Sequence, residues 1–336
     1  MLEVFLTVPL FVLAVALTGL ARRYAIRSQI LALPSSRGSH DIPTPVGGGL
    51  AIVVAYFGML ATLAAASAVE MREFVMLSAS LPVAIAGWID DRVQVSARLR
   101  LGVQIACVLC VVGLAGQVPA VMIGNVQIGG FLLSWVLLPL ALVWLTNLYN
   151  FMDGIDGLAG VEAAFAGLAA AAILLGNHDY ALGMLCLGLF AGSAGFLAWN
   201  WPPARIFMGD VGSGFLGLTF AIIALLSHVH GSMSLWSWVL LFACFVVDAS
   251  VTLIRRVLGG KAFHEAHRQH AYQHAAKQSG NHQPVTLAVL AINICWLFPL
   301  AWLATKHPEH GVYLAAIGIV PLLAVVFRLG AGKESQ

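Results

Sequence analysis

Runs of about twenty apolar residues recur along this sequence, and they decide what it can fold into. The hydrocarbon core of a bilayer, about 30 Å thick, takes about 20 apolar residues per helix. Roughly eleven such runs stand between polar or Gly/Pro-rich segments, at residues 2–20, 47–66, 74–89, 99–114, 131–148, 158–175, 181–199, 211–228, 235–254, 285–303 and 312–327. Because 60% of the 336 residues are apolar and only 10% are charged, a soluble domain is excluded. The sequence predicts an all-α polytopic integral membrane protein with about eleven transmembrane helices, forming a single domain over residues 1–336.

The basic residues are distributed unevenly over the connecting segments. If each run crosses the membrane, every Lys and Arg except Arg72 and Lys306 falls on the same side. Basic residues accumulate on the cytoplasmic side of membrane proteins. We therefore expect the N-terminus outside and the C-terminus in the cytoplasm. A formal net charge of only +2 gives no overall field for nucleic acid, so the expected partner is the lipid bilayer.

Seven carboxylates fall on the side predicted to be cytoplasmic, where a polyanion and a divalent cation would arrive: Asp41, Asp90, Asp91, Asp153, Asp156, Asp210 and Glu265. Asp90 and Asp91 follow the third run directly, and adjacent carboxylates repel each other unless a proton or a cation compensates. Arg98 and Arg100 come shortly afterwards and are candidates to hold a phosphate. The alternative interpretation is a pair of interfacial charges that ends a helix.

The segment from Asn147 to Gly160 is the most specific string in the sequence. Asn147, Asn150, Asp153 and Asp156 recur at three-residue steps, which would place them on one face of a helix. The intervening glycines permit close approach of the backbone to a ligand. The calcium-binding EF-hand pattern is not met, because the acids stand three apart and no closing Glu follows. The alternative interpretation is an ordinary polar loop.

A third polar segment, residues 200–214, leads into the eighth run. Its glycines can leave backbone N–H groups facing phosphate oxygens near the start of a helix. Asp210 offers a hard oxygen ligand for Mg²⁺. The alternative is a Gly-rich helix start without a ligand.

The last connection on this side is basic and rich in histidine. The string H-E-A-H at residues 264–267 is one residue short of the zinc-protease motif H-E-x-x-H, which excludes that class. Three interpretations stay open: a structural zinc site through His267, His270 and His274, a solvated charged loop, or a lid that supplies hydrogen-bond donors to a diphosphate.

Asp248 lies inside an apolar run, ahead of Arg255 and Arg256. Acids within membrane helices are typical of ion-coupled secondary transporters, which are the alternative functional class. Against a transporter, the acids of the polar motifs cluster at one face rather than at the midplane. Paired broken helices in two halves of the chain are also not evident in the sequence.

Together, these motifs resemble those of the polyprenyl-phosphate N-acetylhexosamine-1-phosphate transferases, the glycosyltransferase 4 type. The matching strings are Asp90-Asp91, residues 147–159, residues 207–213 and the histidine-bearing last loop, in that order. The resemblance covers essentially every predicted span and is greatest to the O-antigen-initiating, WbpL-type enzymes. It implies transfer of an N-acetylhexosamine 1-phosphate from a UDP-sugar to undecaprenyl phosphate, with UMP as the second product. It also implies a bacterial inner (cytoplasmic) membrane location, with the active site at the cytoplasmic face.

The resemblance also implies roles for individual residues. Asp210 would be the principal Mg²⁺ ligand with Asn150 as a second ligand, Mn²⁺ being an alternative metal. Asp90, Asp91 and Asp153 would be catalytic. Substrate binding would involve Asn147, Asp156, Gly157, Leu158, Asn200, Phe207, Arg268 and His270. Candidate contacts to the lipid phosphate are Arg37, His40, Arg98 and Arg100. The sequence does not fix the oligomeric state, for which a homodimer is one alternative.

Two positions depart from the family pattern. Relatives commonly carry His-x-His-His in the last loop, whereas this chain has His270-Ala-Tyr-Gln. Members of the peptidoglycan branch usually carry a Lys where Gln94 stands. A peptidoglycan precursor is therefore not the substrate that we expect.

Overall fold

The protein is built almost entirely of helices. A computed structural model describes residues 2–33, 42–261 and 267–333. The helices are α1 (Leu2–Arg27), α2 (Leu50–Ala65), α3 (Met71–Ser78), α4 (Leu81–Asp90), α5 (Ala97–Ala115), α6 (Leu138–Phe151), α7 (Leu158–Gly176), α8 (Tyr180–Asn200), α9 (Asp210–Val229), α10 (Leu235–Leu241), α11 (Ala243–Leu258), α12 (Ala271–Ser279), α13 (His282–Ile292), α14 (Phe298–Lys306) and α15 (Gly311–Arg328). Short π-helical stretches, Leu132–Leu137 and Asn293–Leu297, precede α6 and α14, and a 3₁₀ turn, Pro308–His310, precedes α15. The predicted all-α membrane fold is confirmed.

All the predicted apolar runs fall on helices, although not all are of spanning length. In the described residues, nine helical segments are long and apolar enough to cross a membrane. A tenth is the pair α10 and α11, which meet at a 78° bend. The remaining run corresponds to α2, whose 16 residues extend only about 24 Å. The direction in which the chain enters the membrane stays a prediction.

Helix α9 lies at the centre of the bundle. In the most apolar 18-residue stretch of α9, 94% of the residues are buried, whereas in that of α1 only 11% are. Helix α9 is this enclosed because α2, α4, α6 and α10 all contact it. Helix α4 ends at Asp90, α6 ends at Phe151 and α9 begins at Asp210, so three helix termini meet. This side of the bundle, defined by Asp90, Asp153 and Asp210, is called the acidic end below.

The backbones of α4 and α9 touch near the acidic end. A Cβ atom on Gly87 would overlap the carbonyl group of Asp210, so this position has no room for a side chain. The contact leaves Asp90 and Asp91, one turn after Gly87, directly beside the start of α9.

Two small antiparallel hairpins complete the fold. Strand β1 (Leu31–Ala32) pairs with β2 (Thr44–Pro45), and β3 (Val121–Ile123) pairs with β4 (Val126–Ile128). The first hairpin lies at the acidic end, where its β2 strand contacts the loop that leads into α9.

A polar pair joins two membrane helices inside the bundle. Glu162 of α7 and Asn293 of the π-helical stretch are both fully buried, and Asn293 Nδ2 donates to Glu162 Oε2 at 2.6 Å. Among the described atoms, Glu162 Oε1 and Asn293 Oδ1 have no hydrogen-bond partner. The pair joins α7 to the span formed by α13 and α14, and one acceptor oxygen on each of the two side chains stays unpaired.

The opposite end of the bundle is held by a histidine between two carboxylates. His230, just after α9, contacts Asp179 through Nδ1 at 2.9 Å and Glu73 through Nε2 at 2.8 Å. The hydrogen bond to Asp179, supported by Glu73, raises the pKa of His230 to about 9. A charged His230 therefore links the α7–α8 connection, the start of α3 and the end of α9.

We predict that Glu162→Gln is as stable as the natural protein or more so, because glutamine supplies both an acceptor and a donor to Asn293. Glu162→Leu leaves Asn293 buried without a partner and should lower the free energy of unfolding by about 1–3 kcal/mol. Thermal unfolding in detergent measures both changes, with the exposed Glu309→Leu as control. Equal stability of Glu162→Leu and the natural protein would contradict this.

The His230 interaction predicts a pH dependence. The folded state raises the pKa of His230, so its stabilisation is complete below the unfolded value of about 6.5 and is lost as the pH rises through about 9. His230→Gln should lower the melting temperature near neutral pH and flatten this alkaline decline. The control is His310→Gln, at an exposed histidine of the same end. Superimposable profiles for His230→Gln and the natural protein would show that the interaction contributes nothing.

Candidate active site at the acidic end

Two carboxylates from distant parts of the chain share one guanidinium nitrogen. Asp90 at the end of α4 and Asp210 at the start of α9 each accept a hydrogen bond from Arg100 Nη1 at 2.5 Å. Arg100 lies in the first turn of α5, whose N-cap Ser96 accepts from the backbone of Leu99. The fold thus brings the aspartate pair and the third sequence motif together, as their predicted roles require.

Asp91 points away from its neighbour and caps α9. Its carboxylate accepts the backbone N–H groups of Asp210 at 2.8 Å and Val211 at 3.3 Å. Burial, together with the charge of Asp210 and opposed by these two hydrogen bonds, raises the pKa of Asp91 to about 7. The two adjacent aspartates therefore contact different partners, and Asp91 fixes the backbone that carries Asp210.

Asn150, in the last turn of α6, orients the Asp210 carboxylate from the other side. Its Nδ2 atom donates to Asp210 Oδ1 at 2.8 Å and to Ser213 Oγ at 2.9 Å. Ser213 in turn lies within 3.2 Å of the carbonyl of Gly209. Because the Asn150 amide nitrogen is occupied, the amide oxygen is the atom that this residue can offer to a metal ion.

The three-residue repeat of the second motif is helical only in its first half. Asn147 and Asn150 share a face of α6, but the helix ends at Phe151. Asp153 and Asp156 lie in the turn before Gly157, which adopts the left-handed conformation at φ 78°. The prediction that all four residues share one helical face is wrong, because the glycines of this segment favour a turn over a continued helix.

Asp153 lies in this turn beside the other acids. Burial, and then the charges of Asp210, Asp91 and Asp156, raise the pKa of Asp153 well above its ordinary value. Three carboxylates thus surround the Asp210 carboxylate or its backbone: Asp90, Asp91 and Asp153. Carboxylates this close together repel one another unless a cation or a proton compensates their charge.

Asn200 and Leu158 hold the loops of the acidic end in place. The Asn200 side chain is buried, accepts the backbone N–H of Gly157 at 3.0 Å and donates to the carbonyl of Ile206 at 2.9 Å. Leu158 is fully buried at the start of α7. Asn200 thereby joins the α6–α7 turn to the α8–α9 loop. Direct binding of substrate by Asn200, Gly157 or Leu158 stays a prediction.

Asp156 and Phe207 lie in the same loops. The Asp156 carboxylate accepts the backbone N–H of Ala204 at 2.9 Å and lies 3.4 Å from His282 Nδ1 of α13. The backbone of Phe207 pairs with Pro45 of β2 and with Gly48. The segments that carry these two predicted substrate-binding residues are therefore packed side by side, next to the aspartate cluster.

The histidine-rich connection is organised by Asp248. This buried carboxylate accepts the backbone N–H groups of Ala271 and Tyr272, both at 2.9 Å, and Asp248 Oδ1 also lies 3.2 Å from His270 Nδ1. Asp248 therefore caps α12 and orients the buried His270 ring. The one intramembrane acid cited for a transporter thus has a local structural role.

The remaining predicted residues are placed as follows. His270 stacks between His267 and Tyr272, with ring centroids at 5.0 and 5.5 Å. Burial, and then the charges of His270 and Arg256, lower the pKa of His267 to about 4. Arg98 is exposed on α5, Arg268 is half-buried ahead of α12, and Arg37 and His40 lie outside the described residues.

A cavity opens beside the aspartate cluster, with a volume of about 510 Å³. Its polar lining includes Arg100, Asn150 and Asp210, while most of the rest is apolar and comes from α4, α5, α6 and α11. One further polar pair, Gln104 and Asn147, lines it one helical turn from Arg100 and Asn150. The cavity therefore suits a ligand with an anionic head and an apolar body.

The donor set fits magnesium better than zinc. Within the described ranges, no three His, Cys, Asp or Glu side chains converge as metal ligands, which disfavours the histidine zinc site there. Magnesium is commonly bound by one or two carboxylates together with water and substrate phosphates. Asp210, the neighbouring Asp90 and the Asn150 amide oxygen are a donor set of this kind.

Four polar residues with partners in the structure were not predicted from the sequence: Gln104, Ser213, His282 and Glu162. Gln104 stands four residues after Arg100, so helical periodicity would have placed it on the same face of α5. Ser213 was within the motif but was not singled out. Glu162 and His282 become apparent only when their partners from distant helices are known.

The sequence is similar to a known protein family and to several known transferases. The model of glycosyl transferase family 4 matches residues 73–228. A probable undecaprenyl-phosphate N-acetylglucosaminyl 1-phosphate transferase of Bacillus subtilis is 27% identical, over 95% of this chain and 89% of its own. A decaprenyl-phosphate N-acetylglucosaminephosphotransferase of Mycobacterium leprae is 31% identical, over 92% and 86%. A phospho-N-acetylmuramoyl-pentapeptide-transferase of Prochlorococcus marinus is 30% identical, over 63% and 60%.

The family match includes the aspartate pair, the second motif and Asp210, and the mycobacterial relative aligns over nearly the whole length. The geometry at the acidic end and these similarities agree, and this chain belongs to glycosyl transferase family 4, among the polyprenyl-phosphate N-acetylhexosamine-1-phosphate transferases.

Proposed function

We propose that this protein transfers an N-acetylhexosamine 1-phosphate from a UDP-sugar to undecaprenyl phosphate in a Mg²⁺-dependent reaction. The products would be undecaprenyl-diphosphate-sugar and UMP. Two relatives are an undecaprenyl-phosphate and a decaprenyl-phosphate transferase, which supports a polyprenyl phosphate as the acceptor. We further propose the bacterial inner membrane as the location and the first step of O-antigen assembly as the use of the product.

The observation that carries this proposal is that Asp90 and Asp210 share the guanidinium of Arg100 beside an amphiphilic cavity, with the Asp153 carboxyl close enough to Asp210 to be affected by its charge. Asp210, with Asn150 and Asp90 beside it, would hold the magnesium ion. When bound, the ion would neutralise phosphate charge and stabilise the charge that develops during phosphoryl transfer.

The reaction brings two anions together, the lipid phosphate and the UDP-sugar. The charged residues of the acidic end would position them and offset their repulsion. An oxygen of the lipid phosphate attacks the sugar-bearing phosphorus of the UDP-sugar, a new P–O–P bond forms, and the bond to the UMP oxygen breaks. A phosphate monoester has a second pKa of about 6, so most of the acceptor is already a dianion at neutral pH. A strong general base is therefore not required, and no covalent enzyme intermediate is proposed.

Arg100 and Asp91 would contribute through position. Arg100 supplies a fixed positive charge to the phosphates, and its planar guanidinium suits paired contacts to their oxygens. Asp91 holds the first N–H groups of α9 and thereby keeps Asp210 in register with α4. Asp153, with its raised pKa, is suited to hold a proton when the acceptor phosphate arrives as the monoanion.

The proposal is tested with membranes of cells that express the chain. They are given a panel of radiolabelled UDP-N-acetylhexosamines and undecaprenyl phosphate, and organic-soluble label and UMP are measured. We expect lipid-linked label and UMP in equal amounts with at least one sugar. Substrate uptake into sealed vesicles without UMP would instead favour a transporter, and label trapped on the protein would contradict direct displacement.

Asp210→Asn should reduce turnover by roughly 100-fold or more, because the change removes the charge of the proposed principal metal ligand. It should also abolish the rise in melting temperature caused by Mg²⁺ in the natural protein. Glu309→Gln removes an exposed carboxylate at the opposite end and serves as control. Undiminished Mg²⁺-dependent turnover in Asp210→Asn would rule out the assigned ligand.

The two variants Asp91→Ala and Asp91→Asn separate a capping role from a catalytic one. Removal of the cap in Asp91→Ala should lower the free energy of unfolding by about 1–2 kcal/mol, whereas Asp91→Asn keeps one acceptor and loses less. We expect turnover to follow the same order, because both effects act through the start of α9. Equally inactive variants of unchanged stability would instead identify Asp91 as a proton acceptor in the reaction.

A further inference from the structure

A primary amide is placed at the junction between the polar and apolar parts of the cavity. Gln104 follows Arg100 by four residues on α5, so the two share a face about 6 Å apart along the helix. Side chains on a helix lean towards its N-terminus. The Gln104 amide therefore leans towards Arg100 and the aspartate cluster.

Asn147 fixes the direction of that amide. Its Nδ2 atom donates to Gln104 Oε1 at 2.7 Å and to the carbonyl of Val143 at 2.8 Å, which occupies both of its N–H groups. The Gln104 oxygen thus faces Asn147. Over the described ranges, the Gln104 amide nitrogen has no hydrogen-bond partner, although its side chain is only partly exposed.

Unpaired N–H groups are costly where the surroundings are apolar. Beyond Gln104 the cavity is lined by Leu140, Val143 and Trp144, and on the other side of it stand Arg100 and Asp210. A ligand that satisfies both regions is the phosphate ester of a long-chain alcohol. Its phosphate would lie at Arg100, and its chain would run along α6.

We propose that Gln104 binds the lipid phosphate: its amide N–H group donates to a phosphate oxygen at the point where the phosphate joins the chain. Asn147 is a positioning residue, which acts by holding the Gln104 amide in this orientation. The inference rests on the proposed function, whose acceptor is such a phosphate. It assigns Asn147 a role through Gln104 instead of direct contact with a substrate.

Gln104→Met tests the assignment, because methionine keeps the length of the side chain and removes the donor. In the purified full chain we expect KM for undecaprenyl phosphate to rise about tenfold, as for loss of a hydrogen bond to a charged group. We expect kcat, KM for the UDP-sugar and the melting temperature to change little. Gln117→Met, at an exposed glutamine beyond the end of α5, is the matched control and should behave as the natural protein.

Binding is measured separately from turnover by thermal stabilisation with undecaprenyl phosphate alone. Gln104→Met should need about tenfold more lipid for the same stabilisation. Asn147→Leu should show a similar defect, and the double variant should be no worse than Gln104→Met, because Asn147 acts through Gln104.

Three results would overturn the inference: an unchanged lipid requirement in Gln104→Met, a rise confined to KM for the UDP-sugar, or additive defects in the double variant. If the natural protein binds the lipid and Gln104→Met binds it weakly, but neither releases UMP with any sugar, the proposed function fails while the binding assignment stands.

Discussion

The capping of α9 by Asp91 is the interaction on which the acidic end depends. Helix α9 is the most enclosed of the long helices in the described structure, and its first residue carries the proposed metal-binding carboxylate. Two backbone N–H groups at its start are bound by a carboxylate from the end of α4. Because Gly87 lets the same two helices touch, this cap fixes Asp210 relative to Asp90 and Arg100.

More carboxylates lie at this junction than are needed to hold the helices together. Asp90 and Asp210 share one guanidinium, and Asp153 is held beside them with a raised pKa. Structural carboxylates elsewhere in the protein have simpler tasks: Asp248 caps one short helix, and Asp179 and Glu73 enclose a histidine. At the acidic end, by contrast, the repelling carboxylates lie beside a cavity of about 510 Å³.

The sequence predicted the helical membrane fold because apolar runs of fixed length have a single physical explanation in a bilayer. It also predicted which motifs come together, since Asp90, Asn150 and Asp210 all follow or begin such runs near one face. It could not predict which way each side chain points. Asp90 and Asp91 are neighbours in sequence, yet one binds Arg100 and the other binds backbone N–H groups of α9. The end of α6 at Phe151, and the pairing of Glu162 with Asn293, depend on contacts between distant segments that no local pattern encodes.

If the lipid binds in the cavity as proposed, the size of the cavity limits how much of the lipid tail the protein can recognise. About 510 Å³ is the volume of a site for a drug-sized molecule, far less than a polyprenol of many isoprene units occupies. Only the first units next to the phosphate would be enclosed, and the remainder of the tail would stay among the bilayer lipids. The pocket would then select only the units near the phosphate, and it would not distinguish alcohols that differ at their far ends.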